Sequence, residues 1–454
     1  MISPARAVAA RVLQRVETEG AFADLALDAE LSRASATPRD AALATELVYG
    51  TLRWQRYLDW ILGPHSRRRL ASLDPRPRVL LRMTAYQLAF LERIPPFAAV
   101  DDAVSLARER AKPGVPEFVN AVLRAFTRRG PREREPAPPA DPIEALALRG
   151  SFPTWLARRW VERYGVEEAS ALMQAMNERP PLTLRANALR TTREALAARL
   201  HDEDQVETTP TRHAPEGLIA TGGGRPGSAT GSGRPGSWRA FADGALAVQD
   251  EASMLVARLL EPSPGDIVAD ACAAPGTKTT HLAELMANRG RIHAFDPQPA
   301  RLALVGEAAT RLGVTIVETH RGTVETLASG FAAACDGVLV DAPCSNLGVL
   351  RRNPEVKWRR EPGDVAASAT RQRDILAAAA TMVRPGGRLV YATCSLEPEE
   401  NDEVMAAFLA GRGDFAPDPP SEFPLALDAD GVLRCRPHRH GTDGFTAVRL
   451  RRVV

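Results

Sequence analysis

The chain has 454 residues and a formal net charge of +2, with 58 Lys and Arg against 56 Asp and Glu. This length exceeds what one hydrophobic core usually serves, which predicts two or three domains. With 44% hydrophobic and 25% charged residues, the composition indicates a folded, soluble protein and argues against disorder. Apolar runs such as residues 375–383 are too short to cross a membrane, and the amino terminus lacks a secretory apolar segment. We therefore expect a cytoplasmic protein.

Residues 1–130 have the apolar spacing of consecutive amphipathic helices. One predicted helix face carries Val8, Val12 and Val16, and another carries Val79 and Met83. Turn signals at residues 62–64 and 94–96 separate the helical segments. The pattern predicts an all-α domain over residues 1–130.

Two segments of biased composition follow. Residues 131–142 are rich in proline and charge, which predicts a semi-rigid linker. Residues 143–240 combine helical patterns with a strand-like run at residues 182–185, which predicts a small mixed α/β segment. Within it, residues 221–237 are rich in Gly, Ser and Pro and are predicted to form a flexible surface loop.

From residue 241 to residue 454 the pattern alternates between strand and helix. The predicted strands are residues 267–270, 291–296, 315–319, 337–341 and 388–393. The predicted helices are residues 279–288, 299–312, 365–383 and 400–410. This alternation predicts an α/β, Rossmann-like domain with a largely parallel sheet covered on both faces. Its ligands should lie at the carboxyl ends of the strands.

The segment DACAAPGTKTTHLAELM, residues 270–286, joins a predicted strand to a helix through a loop of small residues. Such a loop lets a ligand approach the backbone and the free N–H groups of the helix. Neither GxGxxG nor GxxxxGK[ST] occurs within this segment, so a neutral or cationic nucleoside fits it better than a pyrophosphate. Asp296, which ends the next strand, either binds ribose hydroxyls or caps the following helix.

The cysteines are scattered and form no CxxC pair, and the histidines do not fall at zinc-ligand spacings, so no metal site is predicted. In a reducing compartment such thiols are either buried apolar groups or reactive. We expect Cys335 and Cys435 to be structural. Cys344 and Cys394 instead follow predicted strand ends, in the motifs DAPCSNLGVLRRNPEVKWRR and YATCSLEPEENDEV.

Two thiols beside an acid, Asp341, suit methylation of carbon 5 of cytosine. Carbon 5 is a poor nucleophile until a thiolate adds to carbon 6. The proton on carbon 5 must then leave before the thiol is expelled, which requires a second base. A carboxyl group near ring nitrogen 3 would stabilise the adduct.

The strings DACAAPGTKT, DAPCS with NPEVKWR, and ATCSLEPEEN resemble the signature motifs of RNA cytosine-5 methyltransferases of the NOL1/NOP2/Sun group. The segments ELVYGTLRW and FVNAVLRAF resemble the NusB-like RNA-binding domain. The resemblance covers nearly the whole chain. It implies that Cys394 attacks carbon 6, that Cys344 acts on the carbon 5 proton to release product, and that Asp341 serves both base and cofactor.

The resemblance also implies S-adenosylmethionine as the cofactor, with Asp296 on its ribose and Asp341 beside it. The methionine part would be held by one loop, whose residues are Cys272, Ala273, Ala274, Pro275, Gly276, Thr277 and Lys278. Two positions depart from the family pattern. Thr277 stands where the family usually has glycine, and Arg321 stands where it usually has an aspartate that contacts adenine. The adenine contact is left open between Thr323 and a backbone N–H.

The implied substrate is a single-stranded or flipped cytosine of 16S ribosomal RNA. Basic clusters at residues 67–69, 124–129 and 351–360, together with the mixed segment, are predicted to bind RNA. We expect a monomer with no membrane or metal partner. Two alternatives stay open: the same chemistry on another RNA such as tRNA, and an RNA-binding or assembly protein whose methyltransferase domain is inactive.

Overall fold

The computed structural model describes residues 2–109, 113–128, 135–223 and 235–453. Residues 131–134 of the predicted linker, residues 224–234 of the predicted Gly-rich loop and Arg129 of a predicted basic cluster lie outside the described residues. The chain folds into two compact units. The helical unit comprises Met1–Arg179 with Leu350–Arg359, and the sheet unit comprises Pro180–Val349 with Arg360–Val454. The four-part division made from the sequence stays a prediction.

The helical unit confirms the all-α pattern over the described part of residues 1–130. Several of its helices begin with proline in the first turn, where the missing N–H costs nothing. Val8, Val12 and Val16 are buried in its core, as the spacing predicted. Its helices are α1 (Pro4–Thr18), α2 (Ala23–Arg33), α3 (Pro38–Arg53), α4 (Gln55–Leu62), α5 (Pro75–Phe90), α6 (Pro96–Arg108), α7 (Val115–Thr127), α8 (Pro142–Gly150), α9 (Thr154–Tyr164) and α10 (Val166–Asn177).

Residues 350–359 are embedded in the helical unit, although their neighbours in sequence belong to the sheet unit. Lys357 is fully buried, and its ammonium donates to the backbone oxygens of Arg53 and Ser151 at 2.9 and 3.1 Å. It also donates to Asn177 Oδ1 at 2.8 Å. Burial lowers the pKa of Lys357 well below its usual value. Because Arg351 is buried as well, the prediction that residues 351–360 contact phosphate is wrong for these two side chains.

The sheet unit has a large sheet and a smaller one. Its first elements are β1 (Leu182–Ala186), α11 (Arg193–Asp204), β2 (Val206–Pro210), β3 (Gly217–Gly223), α12 (Arg239–Ala242), β4 (Leu246–Val248), α13 (Glu251–Leu259), β5 (Ile267–Asp270), α14 (Thr277–Leu285), β6 (Arg291–Asp296), α15 (Pro299–Leu312) and β7 (Val317–Arg321). They are followed by α16 (Val324–Leu327), β8 (Cys335–Asp341), α17 (Val356–Arg359, in the helical unit), α18 (Pro362–Ala380), β9 (Val383–Thr393), α19 (Asp402–Gly411), β10 (Phe415–Pro417), β11 (Leu433–Cys435), α20 (Pro437–His440) and β12 (Phe445–Arg452).

The large sheet has the strand order β10-β12-β9-β8-β5-β6-β7, with β11 paired to β12. From β9 to β7 the strands pair in parallel, whereas β12 runs antiparallel to β9, β10 and β11. Val268, Leu339 and Val390 are fully buried in the central strands, as expected when helices cover both faces. The Rossmann-like fold class is thus confirmed, with a mixed sheet. The parallel strands end together at one edge, called here the carboxyl edge.

The smaller sheet has the order β2-β3-β1-β4 and is antiparallel throughout. The sequence predicted β1 but missed β2, β3 and β4. In the large sheet, the third predicted strand is displaced: it spans Val317–Arg321 because Thr315 N bonds instead to the side chain of Asn288 at 2.9 Å. Among the described residues, no helix combines the length and apolarity needed to span a bilayer.

Candidate active site

Cys344 and Cys394 lie in the loops that follow β8 and β9 at the carboxyl edge. These strands are neighbours in the sheet, with Asp341 paired to Ala392 at their ends. Cys394 comes directly after β9, and Cys344 lies three residues beyond β8. Their sulfur atoms are 3.1 Å apart, within hydrogen-bonding distance. The structure thus brings together the two thiols that the sequence singled out.

Asn346 belongs to the same group, and the sequence analysis missed it. Its Oδ1 lies 2.9 Å from Cys394 Sγ and 3.5 Å from Cys344 Sγ. The backbone of Asn346 is left-handed, with φ of 64°, a conformation that asparagine tolerates better than most residues. The Ser-Asn-Leu-Gly turn pattern was the available signal for this position.

The loop that carries Cys344 is held close to its neighbours by glycine. Gly348 N donates to Cys394 O at 2.9 Å, and Gly444 N donates to Gly348 O at 2.8 Å. A Cβ atom added at Gly348 would lie 2.2 Å from Gly444 O, so a side chain here would force the backbones apart. The close approach of the two thiol loops therefore depends on this glycine.

Burial and neighbouring charges act on the Cys344 thiol. The pKa of Cys344 is raised well above its usual value, first by its hydrogen bond with Cys394 and then by burial. The negative charges of Cys394 and Glu400 raise it further. Cys344 therefore favours the neutral thiol over the thiolate.

Asp341, at the end of β8, forms an ion pair with Lys278. The Lys278 ammonium is 2.7 Å from Asp341 Oδ2, and its side chain is 9% exposed while that of Asp341 is 27% exposed. The ammonium also lies 4.9 Å from the centre of the Phe445 ring. Nearby, burial raises the pKa of Asp270 to about 6, with Asp341 adding to the shift. The site therefore gathers acidic groups around one lysine.

The loop of residues 272–278 joins β5 to α14. Gly276 has φ of 100°, and a Cβ there would approach Val305 Cα to 3.0 Å. Thr277 is the first residue of α14 and is therefore not left-handed, so threonine is tolerated where the family has glycine. Ala273 and Ala274 are buried, while Pro275 is exposed. Small side chains let a nucleoside approach the backbone here, and the neighbouring carboxylates suit a cationic group on it.

Cys272 and Asp296 were both predicted to contact the cofactor. Burial, with the charge of Asp270, raises the pKa of the Cys272 thiol, so this group is not a thiolate. Asp296 Oδ1 accepts from Gln298 N at 2.8 Å, a turn contact ahead of α15, whose N-cap is Gln298 and has no side-chain cap bond. Its other oxygen is 3.8 Å from Arg301 Nη1. Its ribose contact stays a prediction.

Arg321 ends β7 and is paired in register with Asp296 on β6. Its side chain is exposed, whereas Asp296 is buried. The structure therefore places an exposed cation in register with the predicted ribose-binding acid. Cys335 and Cys435, expected to be structural, are both fully buried.

One group in the described part of the chain has a composition that could hold a metal: His293, Glu318 and His320 on β6 and β7. His293 Nδ1 is 3.0 Å from His320 Nε2 and 3.5 Å from Glu318 Oε2. Burial lowers the pKa of both imidazoles. The imidazoles already bond to each other, and Glu318 is paired with Arg291 at 3.0 Å. The absence of a metal partner stays a prediction.

Comparisons with known proteins cover the whole chain. The model of the 16S rRNA methyltransferase RsmB/F family matches residues 257–451, and that of the NusB family matches residues 3–128. A ferredoxin-like domain model of RsmF/B-like methyltransferases matches residues 152–224.

Among the relatives, the probable ribosomal RNA small subunit methyltransferase B of Bacillus subtilis (strain 168) is 37% identical over 98% of both chains. The solved structure of PH0851 has a TM-score of 0.84 at 28% identity and covers 99% of each chain. The structure of NSun6 from Pyrococcus horikoshii with SFG has a TM-score of 0.59 at 27% identity, covering 67% of this chain and 99% of that one. The chain belongs to the RsmB/F family of 16S ribosomal RNA methyltransferases, with a NusB-like amino-terminal domain and a Rossmann-like domain of the S-adenosylmethionine-dependent class.

Proposed function

We propose that this enzyme methylates carbon 5 of a cytosine in 16S rRNA through a covalent bond between Cys394 Sγ and carbon 6. The observation that carries the proposal is the 3.1 Å separation of Cys344 Sγ and Cys394 Sγ at neighbouring strand ends. A nucleophile and a second base must both reach one pyrimidine ring, and two sulfurs at this distance can do so.

In this mechanism Cys394 is the nucleophile. The attacking form is the Cys394 thiolate, because a thiolate and not a thiol is the nucleophile. The raised pKa of Cys344 keeps the proton of that thiol in place at this stage. Turning the Asn346 amide through 180° would direct an N–H toward that thiolate, since the two orientations occupy the same space. Addition of Cys394 Sγ to carbon 6 moves the negative charge into the ring and makes carbon 5 nucleophilic. S-adenosylmethionine, when bound, supplies the electrophilic methyl group.

Cys344 is the base that completes the reaction. Formation of the adduct removes the negative charge of Cys394, which was one cause of the raised pKa of Cys344. Cys344 can then lose its own proton to solvent and take the proton from carbon 5. The electrons of that C–H bond reform the ring double bond and expel Cys394 Sγ as a thiolate. Methylated cytosine leaves, and the proton remains on Cys344.

Asp341 and Lys278 are proposed to orient the base and the cofactor. Their 2.7 Å ion pair fixes a carboxylate at the end of β8, three residues before Cys344. The loop of residues 272–278 would hold the methionine part of the cofactor, and Asp296 its ribose. In the helical unit, exposed arginines at positions 67–69, 124 and 128 are the proposed phosphate contacts.

One experiment tests the proposal directly. A bacterial strain lacking this gene is complemented with wild type or with Cys394→Ala, and its 16S rRNA is read by bisulfite sequencing. We expect one cytosine to be protected in the wild-type strain and unprotected in the other two. Protection that persists with Cys394→Ala would rule out this cysteine as the nucleophile.

A further inference from the structure

Glu400 lies between the two thiol loops and is fully buried. Its Oε1 accepts from Ser345 N at 2.7 Å and from Gln372 Nε2 at 3.1 Å. Its Oε2 accepts from the hydroxyls of Ser345 and Ser395. One carboxylate therefore satisfies four donors from three segments of the sheet unit.

Two of those segments are the ones that carry the thiols. Ser345 is the residue after Cys344, and Ser395 is the residue after Cys394. The two hydroxyls are themselves 3.3 Å apart, so the carboxylate joins the loops one residue from each sulfur. Gln372 also donates to Pro343 O at 3.0 Å, which fixes the other side of Cys344.

Glu400 is itself held in place. Tyr391 donates its hydroxyl to Glu400 O at 2.6 Å. The next residue, Asn401, accepts from Thr393 Oγ1 at 2.7 Å and donates to Ser395 O at 3.1 Å. The carboxylate thus has little freedom to follow a loop that moves.

The chemistry of the acceptor matters as much as its position. An ionised carboxylate only accepts, and its two oxygens can serve all four donors. Glutamine has nearly the same shape, but its NH₂ group faces donors and leaves some of them unsatisfied in a buried site. The side chain required here is therefore an acid of this length.

We infer that Glu400 is a positioning residue that holds Cys344 and Cys394 at the separation the reaction needs. It touches neither sulfur, and it acts through Ser345 and Ser395. This inference rests on the proposed function, because the separation matters only if both thiols act on one ring.

The first test measures the separation without RNA or cofactor. Phenylarsine oxide condenses with two thiols to form one As–S bond to each, releasing water, and requires sulfurs that can reach one arsenic atom. Wild type should bind it tightly, and Cys344→Ala should not. Glu400→Gln is expected to weaken this binding about tenfold or more. Binding as tight as in wild type would overturn the inference, whatever the enzyme's reaction proves to be.

The second test measures the reaction. In 16S rRNA transcribed with 5-fluorocytidine, the fluorine on carbon 5 cannot be removed as a proton, so the covalent protein–RNA adduct is retained on a denaturing gel. Because displacements near 1 Å at a reacting centre cost roughly 100-fold, Glu400→Gln should slow adduct formation about that much. Its affinity for S-adenosylmethionine should stay within about twofold of wild type, since the cofactor loop is not among its partners.

Glu251→Gln is the matched control. Glu251 is a buried carboxylate of the same unit, and it accepts from Ala214 N at 2.8 Å and from His213 N. This substitution should lower the melting temperature without changing arsenical binding or adduct formation.

If Glu400→Gln fails to fold, Ser395→Ala is the second variant. It removes one of the four hydrogen bonds to the Glu400 carboxylate and leaves the carboxylate itself in place. Unchanged arsenical binding and adduct formation in that variant would overturn the inference, and slowed adduct formation would support it. A wild type that forms no adduct would refute the proposed function alone.

Discussion

At the β8–β9 end of the carboxyl edge, the polar side chains that join the two thiol loops are fully buried, whereas polar side chains at the β7 end face solvent. Ser345, Ser395 and Glu400 have no exposed surface and bond to one another. On β7, the last strand at that side of the large sheet, Thr319 and Arg321 are exposed. The two ends serve one proposed reaction under very different constraints.

The difference indicates which parts of the site can vary. A covalent reaction needs its reacting atoms within a few tenths of an ångström, and a buried hydrogen-bond network provides that. Recognition of an adenine edge needs only one or two polar contacts, which an exposed strand end can offer with different residues. Arg321 in place of the family's aspartate is consistent with that tolerance.

The largest expected effect is that of replacing the proposed nucleophile at the β8–β9 end. Cys394→Ala should reduce methyl transfer to 16S rRNA by about four orders of magnitude or more, because it removes the sulfur proposed to bond to carbon 6. Transfer is measured with S-adenosylmethionine carrying a radioactive methyl group. Cys435→Ala, which alters a fully buried thiol in β11, is the matched control and should retain turnover. Comparable loss in both variants would indicate a general effect on folding.

A smaller loss, with a different signature, is expected from the second thiol. In Cys344→Ala the adduct forms, but the proton on carbon 5 lacks its base, so release should slow by about 100-fold or more. A covalent protein–RNA band should accumulate on a denaturing gel. The double variant Cys344→Ala with Cys394→Ala should give no band. An active single variant without a band would mean that Cys344 takes no part in release.

The pH dependence of release sharpens the comparison of the two sulfurs. Once the adduct has formed, burial and the charge of Glu400 still raise the pKa of Cys344, whereas the contribution of Cys394 is gone. Since the deprotonated form is the base, release should become faster as pH rises, by roughly tenfold per unit below that pKa. Single-turnover release of wild-type enzyme should show this slope. The residual release in Cys344→Ala should not, and the same slope there would assign the titration to another group.

The sequence predicted the β8–β9 end of the carboxyl edge better than the β7 end, for physical reasons. Asp341 ends a strand, and Cys344 and Cys394 follow strands, whose apolar residues are distinctive, so the shared edge of these residues could be inferred from the sequence. Strand β7 contains Glu318, Thr319 and His320, carries a weak apolar pattern, and was predicted two residues too early.

Hydrogen bonds between distant segments could not be predicted in the same way. Nothing local to Glu400 indicates that it meets Ser345, which is 55 residues away in the chain. The same holds for Lys357, which was interpreted as part of a basic cluster but lies buried among backbone oxygens of the helical unit. A run of charged residues in the sequence shows that charge is present. It does not show whether a given side chain is buried, because burial depends on segments that are distant in the sequence.

The smallest expected effect is at the exposed β7 end of the carboxyl edge. Arg321→Asp restores the acid that the family usually has at the end of this strand and removes a cation beside Asp296. If this position contacts adenine, a charge-assisted hydrogen bond worth about 1 kcal/mol should tighten S-adenosylmethionine binding roughly fivefold. Calorimetric titration of the full-length protein measures this affinity.

Arg321→Asn separates the loss of the cation from the gain of a carboxylate, because it removes the cation without adding a carboxylate. Equal tightening in both variants would show that repulsion by Arg321, and not a missing acceptor, limits affinity. No change in either would mean that adenine is bound elsewhere, with Thr323 the next position to substitute.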